Sequence, residues 1–133
     1  MKSAADRYGG ARVQGLTLIG SGWHPSLFRS EIKALTGPIE VIHPRVLYIP
    51  LTDSTLTRLS RAALLDDVLC LSARYWVYSE TSQEDLTKTI AEWAQLNLPK
   101  GSFAVRARKL GTGIPGFSRS EIESEVGALI TSD

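Results

Sequence analysis

Residues 39–49 have the sequence IEVIHPRVLYI. Two runs rich in β-branched and aromatic residues, 39–42 and 46–49, flank a His-Pro-Arg turn, which is typical of a β-hairpin. Before this hairpin, residues 16–19 form a short β-prone run that a Gly-Ser-Gly sequence ends. Residues 25–35 then carry apolar side chains at helical spacing, with a proline at the start and Gly37-Pro38 as a stop. The pattern predicts a strand, a helix and a hairpin in that order.

The chain after the hairpin predicts a further helix and strand, over 52–63 and 68–78. The order through residue 79 is therefore β-α-β-β-α-β, which is that of a ferredoxin-like α+β unit. A third helix is expected from the capping-box sequence at Ser82, followed by a strand over 102–110 and a last helix from Ser118. A strand and helix with no returning strand are unusual for a finished domain, so we expect the chain to be a piece of a longer protein.

These elements divide the 133 residues into three parts. Residues 1–14 are polar and predict a flexible tail, 15–79 the ferredoxin-like domain, and 80–133 a second, incomplete domain. The tail lacks the apolar segment of a signal peptide, and no apolar run approaches the roughly 20 residues that cross a bilayer. We therefore expect a cytoplasmic protein with no membrane partner.

The net charge of +1 conceals an uneven distribution. Between residues 93 and 120 the chain has no Asp or Glu but five cations: Lys100, Arg106, Arg108, Lys109 and Arg119. In the predicted strand, Arg106 and Arg108 share the face opposite Val105 and Ala107. The arginine fork suits phosphate oxygens, and the helix after Ser118 would add free amides and a favourable dipole. The alternative is that these are ordinary solvated charges.

Residues 111–116 match the pattern G-x-G-x-x-G between a predicted strand and a helix, which is the context of a dinucleotide-binding loop. No second βα unit follows, the last glycine precedes the helix signals, and Pro115 removes one amide. We interpret the segment as a loop. A loop backbone that approaches RNA phosphates is one alternative, and a dinucleotide site is another.

No complete catalytic or metal site is evident in the sequence. Cys70 lies in an apolar run, so we expect a buried side chain rather than a nucleophile. His24 precedes a helix and predicts a cap or packing role, and His43 has no evident partner. We therefore expect no catalysis and no cofactor in this chain.

The aromatic residues Tyr75, Trp76 and Tyr78 alternate along the predicted strand. This pattern favours a place in the core, with stacking on nucleic-acid bases as the alternative. Asp66-Asp67 could be a paired carboxylate, although a turn between the helix and the strand explains it better.

Two parts of the chain together resemble the N-terminal region of archaeal-type tRNA guanosine N2-methyltransferases. The first is 21–27 with 31–35, which is similar to the G-x-H-P-x-L turn and E-x-x-A-L helix that open those proteins. The second is 102–108 with 118–130, which is similar to the THUMP domain. The resemblance covers most of residues 16–130.

The resemblance implies a ferredoxin-like domain and a partial THUMP domain that hold the acceptor end of tRNA. It also implies that methyl transfer belongs to a separate C-terminal domain, or subunit, that uses S-adenosylmethionine and whose D/N-P-P-Y signature this chain lacks. The candidate RNA-binding residues are the five cations of 93–120. The alternative from a different class is a non-enzymatic ferredoxin-like module that binds a small molecule or another protein.

Overall fold

The computed structural model describes residues 15–111 and 113–131. It divides the chain into two compact units, one that ends at Tyr75 and one that begins at Trp76. The sequence placed this boundary between residues 79 and 80, and the predicted tail, 1–14, lies outside the described residues. Among the described helices, none combines the length and the apolar character needed to cross a bilayer.

The first unit is α+β, with a four-stranded antiparallel sheet in the order β2-β3-β1-β4. Its elements are β1 (Gly15–Gly20), α1 (Pro25–Thr36), β2 (Glu40–His43), β3 (Val46–Pro50), α2 (Thr55–Leu59) and β4 (Leu65–Leu69). The predicted hairpin is confirmed, because Val41 pairs with Leu47 across β2 and β3. This element order and sheet order are compatible with a ferredoxin-like arrangement.

The core of this unit lies between the sheet and its helices. The sheet contributes leucine and isoleucine side chains at alternate positions of β1 and β3, and α1 contributes residues one turn apart. The buried cluster comprises Leu16, Leu18, Phe28, Ile32, Leu47, Ile49 and Leu59. Full burial of such a side chain contributes about 1.5–3 kcal/mol, so this cluster is the main source of the unit's stability.

The first helix begins and ends as the sequence predicts. His24 is its N-cap, and the Nδ1 atom accepts a hydrogen bond from the backbone N–H of Leu27 at 3.1 Å. Pro25 occupies the first turn, where its missing N–H costs nothing. The helix ends at Gly37, whose φ of 88° favours glycine. The structural role predicted for His24 is confirmed.

The second helix is much shorter than predicted, because the amides of Arg61 and Ala62 bond to carbonyls three residues back and leave the α-helical pattern. The Glu31 carboxylate accepts hydrogen bonds from the N–H groups of Ala63 and Leu64 at 2.9–3.0 Å. Glu31 thus holds the backbone of the loop that follows α2, and the regular α-helix ends before it, at Leu59. The prediction of a helix over 52–63 is wrong at both ends.

The strand predicted over 68–78 is also wrong, since β4 ends at Leu69. Leu69 is the last residue to pair with β1, opposite Thr17, and the chain then leaves the register, because the Ser72 hydroxyl lies 2.6 Å from the hydroxyl of the same Thr17. The aromatic residues that follow are not in a core: Trp76 is 85% exposed and Tyr78 60%. The Cys70 side chain is exposed as well, which corrects the expectation of a buried thiol.

Three further side chains differ from their predicted roles. His43 has a partner, because its Nδ1 atom accepts a hydrogen bond from the backbone N–H of Arg45 at 3.2 Å. Asp66 and Asp67 lie within β4 rather than in a turn. Asp66 forms an ion pair of 3.7 Å with Arg45, which lies in the turn of the hairpin, two residues after His43.

The described residues of the second unit form two helices, α3 (Gln83–Asn97) and α4 (Arg119–Thr131). The capping box predicted at Ser82 is confirmed, with reciprocal hydrogen bonds between Ser82 and Asp85. One turn further, Lys88 pairs with Glu84 at 3.0 Å, and this hydrogen bond raises the pKa of Lys88. Buried side chains between the helices are Thr87, Ala91, Ala94 and Val126.

Residues 102–110 form no strand, which corrects the sequence prediction. Among the described residues of the second unit there is no strand for this segment to pair with. Its backbone bonds to a side chain of α4 instead, as described below.

Candidate nucleic-acid interface

The segment 102–110 lies along helix α4. Phe103 and Ile130 line the same cleft, and Val105 lies against Gly127, where a Cβ atom would stand 3.9 Å from Val105 Cγ2. Further along, the N–H of Ala107 donates to the Glu123 carboxylate at 2.9 Å. Moving two residues forward in the segment, from 103 to 105 to 107, thus moves the contact back by three or four residues in the helix, from 130 to 127 to 123. The segment therefore runs antiparallel to α4, in a nearly extended conformation.

This arrangement gives the segment one side toward the helix and one toward solvent. Val105 and Ala107 are partly buried, whereas Arg106 and Arg108 are exposed. Burial and exposure therefore do alternate along the segment, as the sequence suggested, but a neighbouring helix rather than a sheet covers the buried side. Arg106 and Arg108 share the outward side, as the sequence predicts.

The five cations follow a line beside α4 and do not form one compact cluster. Lys100 lines the cleft at the Ile130 end, and Arg119 is the first residue of α4, which places it about 16 Å away along the axis. Arg106 and Arg108 lie between these limits, since the intervening Ala107 contacts Glu123. All five side chains are exposed, including Lys109, whose Cδ atom is near Gly113.

The carboxylates of α4 modify the charge that the sequence suggests. The segment is free of acids along the chain, but Glu123 contacts its backbone between Arg106 and Arg108. Glu121 and Glu125 instead accept hydrogen bonds from the Gln83 side chain, at 3.1 and 3.3 Å. The side chains of Arg106 and Arg108 are exposed, and these hydrogen bonds hold the three carboxylates in place along α4.

Gln83 also fixes the beginning of α4. The N–H of Ser118 donates to Gln83 Oε1 at 3.0 Å, and the Ser118 hydroxyl accepts from the N–H of Glu121 at 3.4 Å. Only one half of the predicted Ser118 capping box is present, because the Gln83 amide has taken the place of the Glu121 carboxylate. This contact across 35 residues had no signal in the sequence.

The glycine-rich loop before α4 contains a tight turn. The C=O of Ile114 accepts from the N–H of Phe117 at 3.1 Å, and Gly116 has a φ of 83°. Proline followed by glycine with positive φ is the pattern of a type II turn. The last glycine of the G-x-G-x-x-G pattern is thus required by this turn, three residues before α4 begins. Thr112 of the pattern lies outside the described residues.

A cleft opens where α3 and α4 end. Its walls are Ala94, Leu98, Phe103 and Ile130, and Lys100 and Gln95 stand among them. The Phe103 side chain is 46% exposed. The sequence gave no sign of this cleft.

Neither the interface nor the rest of residues 15–111 and 113–131 brings together three His, Cys, Asp or Glu side chains as a metal-ligand set. No protein-family model, curated protein or solved structure matches this chain. The resemblance to tRNA guanosine methyltransferases stays a prediction.

Proposed function

We propose that this chain is the tRNA-binding region of a tRNA-modifying enzyme. It would contact phosphates of the acceptor stem through Arg106, Arg108 and Lys109, flanked by Lys100 and Arg119. One observation carries the proposal: Arg106 and Arg108 project from the outward side of an acid-free segment that lies along α4.

The chemistry of RNA favours this kind of surface. Electrostatic attraction to phosphates supplies a large share of nucleic-acid affinity, and it requires cations that RNA can reach. Arginine offers a planar set of donors that fits two phosphate oxygens at once. Cations in a line of about 16 Å suit a backbone that passes along α4 better than a single bound anion does.

At the level of domains, we propose a ferredoxin-like domain over 15–79 and a partial THUMP-like domain over 80–133. The modification reaction, which we propose to be an S-adenosylmethionine-dependent methyl transfer, belongs to a catalytic domain outside this chain. No residue here is assigned to hold that cofactor or to take part in chemistry.

The test is the salt dependence of binding to an in vitro transcribed tRNA. Each phosphate contact contributes about 0.9 to the slope of log affinity against log salt. Arg106→Ala/Arg108→Ala should therefore lower the slope by about 2 and weaken binding roughly 50-fold at 0.1 M salt. The matched control is Arg58→Ala/Arg61→Ala, which removes two exposed arginines from the first unit.

The control variant has the same net charge, so it separates a specific surface from general attraction. Unchanged affinity and slope in Arg106→Ala/Arg108→Ala would refute the proposal. Equal losses in both double variants would also refute it, because the segment along α4 would then have no special role.

A protein-interaction module is the second candidate, and an observation on β4 favours it. This strand is at one end of the described sheet, and Leu69 and Leu71 beside it are exposed. End strands with open backbone groups are common sites of pairing with another chain. A stable dimer in light scattering that Leu71→Lys abolishes, together with absent tRNA binding, would establish this function instead.

A further inference from the structure

We infer that the cleft at the ends of α3 and α4 holds an unstacked base of the bound RNA, stacked on Phe103, with the adjoining phosphate at Lys100. The inference rests on the proposed function and adds to it a site for a single-stranded nucleotide.

The shape and lining of the cleft suit a flat apolar group. Its volume is about 480 Å³, which lies within the range of about 300–1,000 Å³ for small-molecule sites. Ala94, Leu98 and Ile130 form apolar walls, and the half-exposed ring of Phe103 offers a face for stacking. Stacking on an aromatic side chain accepts any base, because every base has a π-face.

Charge selects a nucleotide over a purely apolar occupant. Lys100 is exposed beside the apolar walls, and the lining contains no Asp or Glu. A ligand with a flat base and an anionic phosphate satisfies both features. Another cleft of this unit makes the contrast. Lys88 lines it but pairs with Glu84, and Glu125 adds a second carboxylate that would repel a phosphate.

The cleft also continues the proposed interface. Phe103 begins the segment that carries Arg106 and Arg108, and Lys100 belongs to both the cleft and the line of cations. A strand whose phosphates pass from Arg108 to Arg106 along α4 is led to Lys100 at the Ile130 end. Its next unpaired base then reaches the ring of Phe103.

The experiment measures binding of the full chain to two RNAs, an eight-nucleotide single strand and a blunt-ended hairpin whose strands are joined by a non-nucleotide linker, so that it has no unpaired base. Phe103→Leu keeps an apolar side chain and removes the stacking face. It should weaken binding of the single strand by about 5-fold to 150-fold, which corresponds to a stacking contribution of about 1–3 kcal/mol, and leave the hairpin unchanged. Phe103→Trp keeps an aromatic face, so it should bind the single strand about as tightly as the wild type does. Leu96→Ala is the control, since Leu96 is exposed on α3 but does not line the cleft.

Each possible result supports or refutes the base site. If Phe103→Leu binds both RNAs like the wild type, while Arg106→Ala/Arg108→Ala weakens both, the base site is refuted and the proposed function survives. If the wild type binds the tRNA transcript but not the single strand, the base site is refuted and the proposed function survives; if it binds none of the three RNAs, both proposals fail. If dodecanoate binds the wild type and not Phe103→Leu, and the RNAs are unaffected, the cleft takes an apolar ligand and the inference is overturned.

A second measurement does not depend on the folding of a variant. The single strand is synthesised with 2-aminopurine, and its fluorescence is followed as the wild-type chain is added. Stacking on Phe103 should change the fluorescence on binding, in parallel with the affinity. Binding with no change in fluorescence would overturn the inference even if Phe103→Leu fails to fold.

Discussion

Replacing Glu31 by alanine removes the acceptor of two backbone amides beyond α2. Both Glu31 oxygens lie within 3.0 Å of the Ala63 N–H, and one also lies 3.0 Å from that of Leu64. A hydrogen bond to a charged group contributes about 1.5–3 kcal/mol. Ala63 is exposed, so water replaces much of its bond, whereas the amide of Leu64 is partly buried and remains unsatisfied. We expect Glu31→Ala to lower the free energy of unfolding by about 2–3 kcal/mol.

Urea unfolding, followed by circular dichroism, measures this loss as a lower midpoint at unchanged m-value. Glu31→Gln keeps one acceptor oxygen without the charge and should lose about half as much. The control is Glu40→Ala, which breaks an exposed ion pair with Arg74 and should cost less than about 1 kcal/mol. If Glu31→Ala is no more destabilising than Glu40→Ala, these hydrogen bonds do not hold the loop after α2 and the reasoning is wrong.

Two further variants test packing in the first unit and the beginning of α4. A methyl group at Gly20 would overlap the ring of Phe28, which is fully buried. Gly20→Ala should therefore lower the free energy of unfolding in urea by about 1–3 kcal/mol. Phe28→Leu makes room for the methyl group, so the double variant should recover part of this loss. Gln83→Glu places a third carboxylate beside Glu121 and Glu125, so it should be less stable than Gln83→Ala in low salt, and the difference should shrink at 1 M NaCl; a difference that does not depend on salt would contradict this account.

Local patterns were sufficient to predict the elements that depend on nearest neighbours in the chain. The hairpin, α1 and the start of α3 follow from β-branched runs, helical spacing and the capping residues His24 and Ser82, and the structure has them where the sequence places them. Contacts between distant residues could not be predicted this way. Glu31 binds the backbone amide of Ala63 from 32 residues away, and no periodicity in 52–63 reveals that contact.

The candidate site shows the same division. Alternation over 102–108 correctly predicted that Arg106 and Arg108 point to solvent together. It could not identify the partner, because a period of two reports two different environments and does not say whether a sheet or a helix supplies them. The position of Glu123 beneath Ala107 was likewise invisible, since an absence of acids along the chain does not imply their absence in space.

The antiparallel course of 103–107 along α4 restricts how the length of this segment can vary. Deleting one residue would turn the arginine side chains toward the helix and expose Val105 and Ala107, because facing alternates at every position. Deleting two would preserve facing and shift the segment by about one helical turn. Insertions and deletions in this segment should therefore be tolerated when they change its length by an even number of residues. Ordinary surface loops have no such restriction.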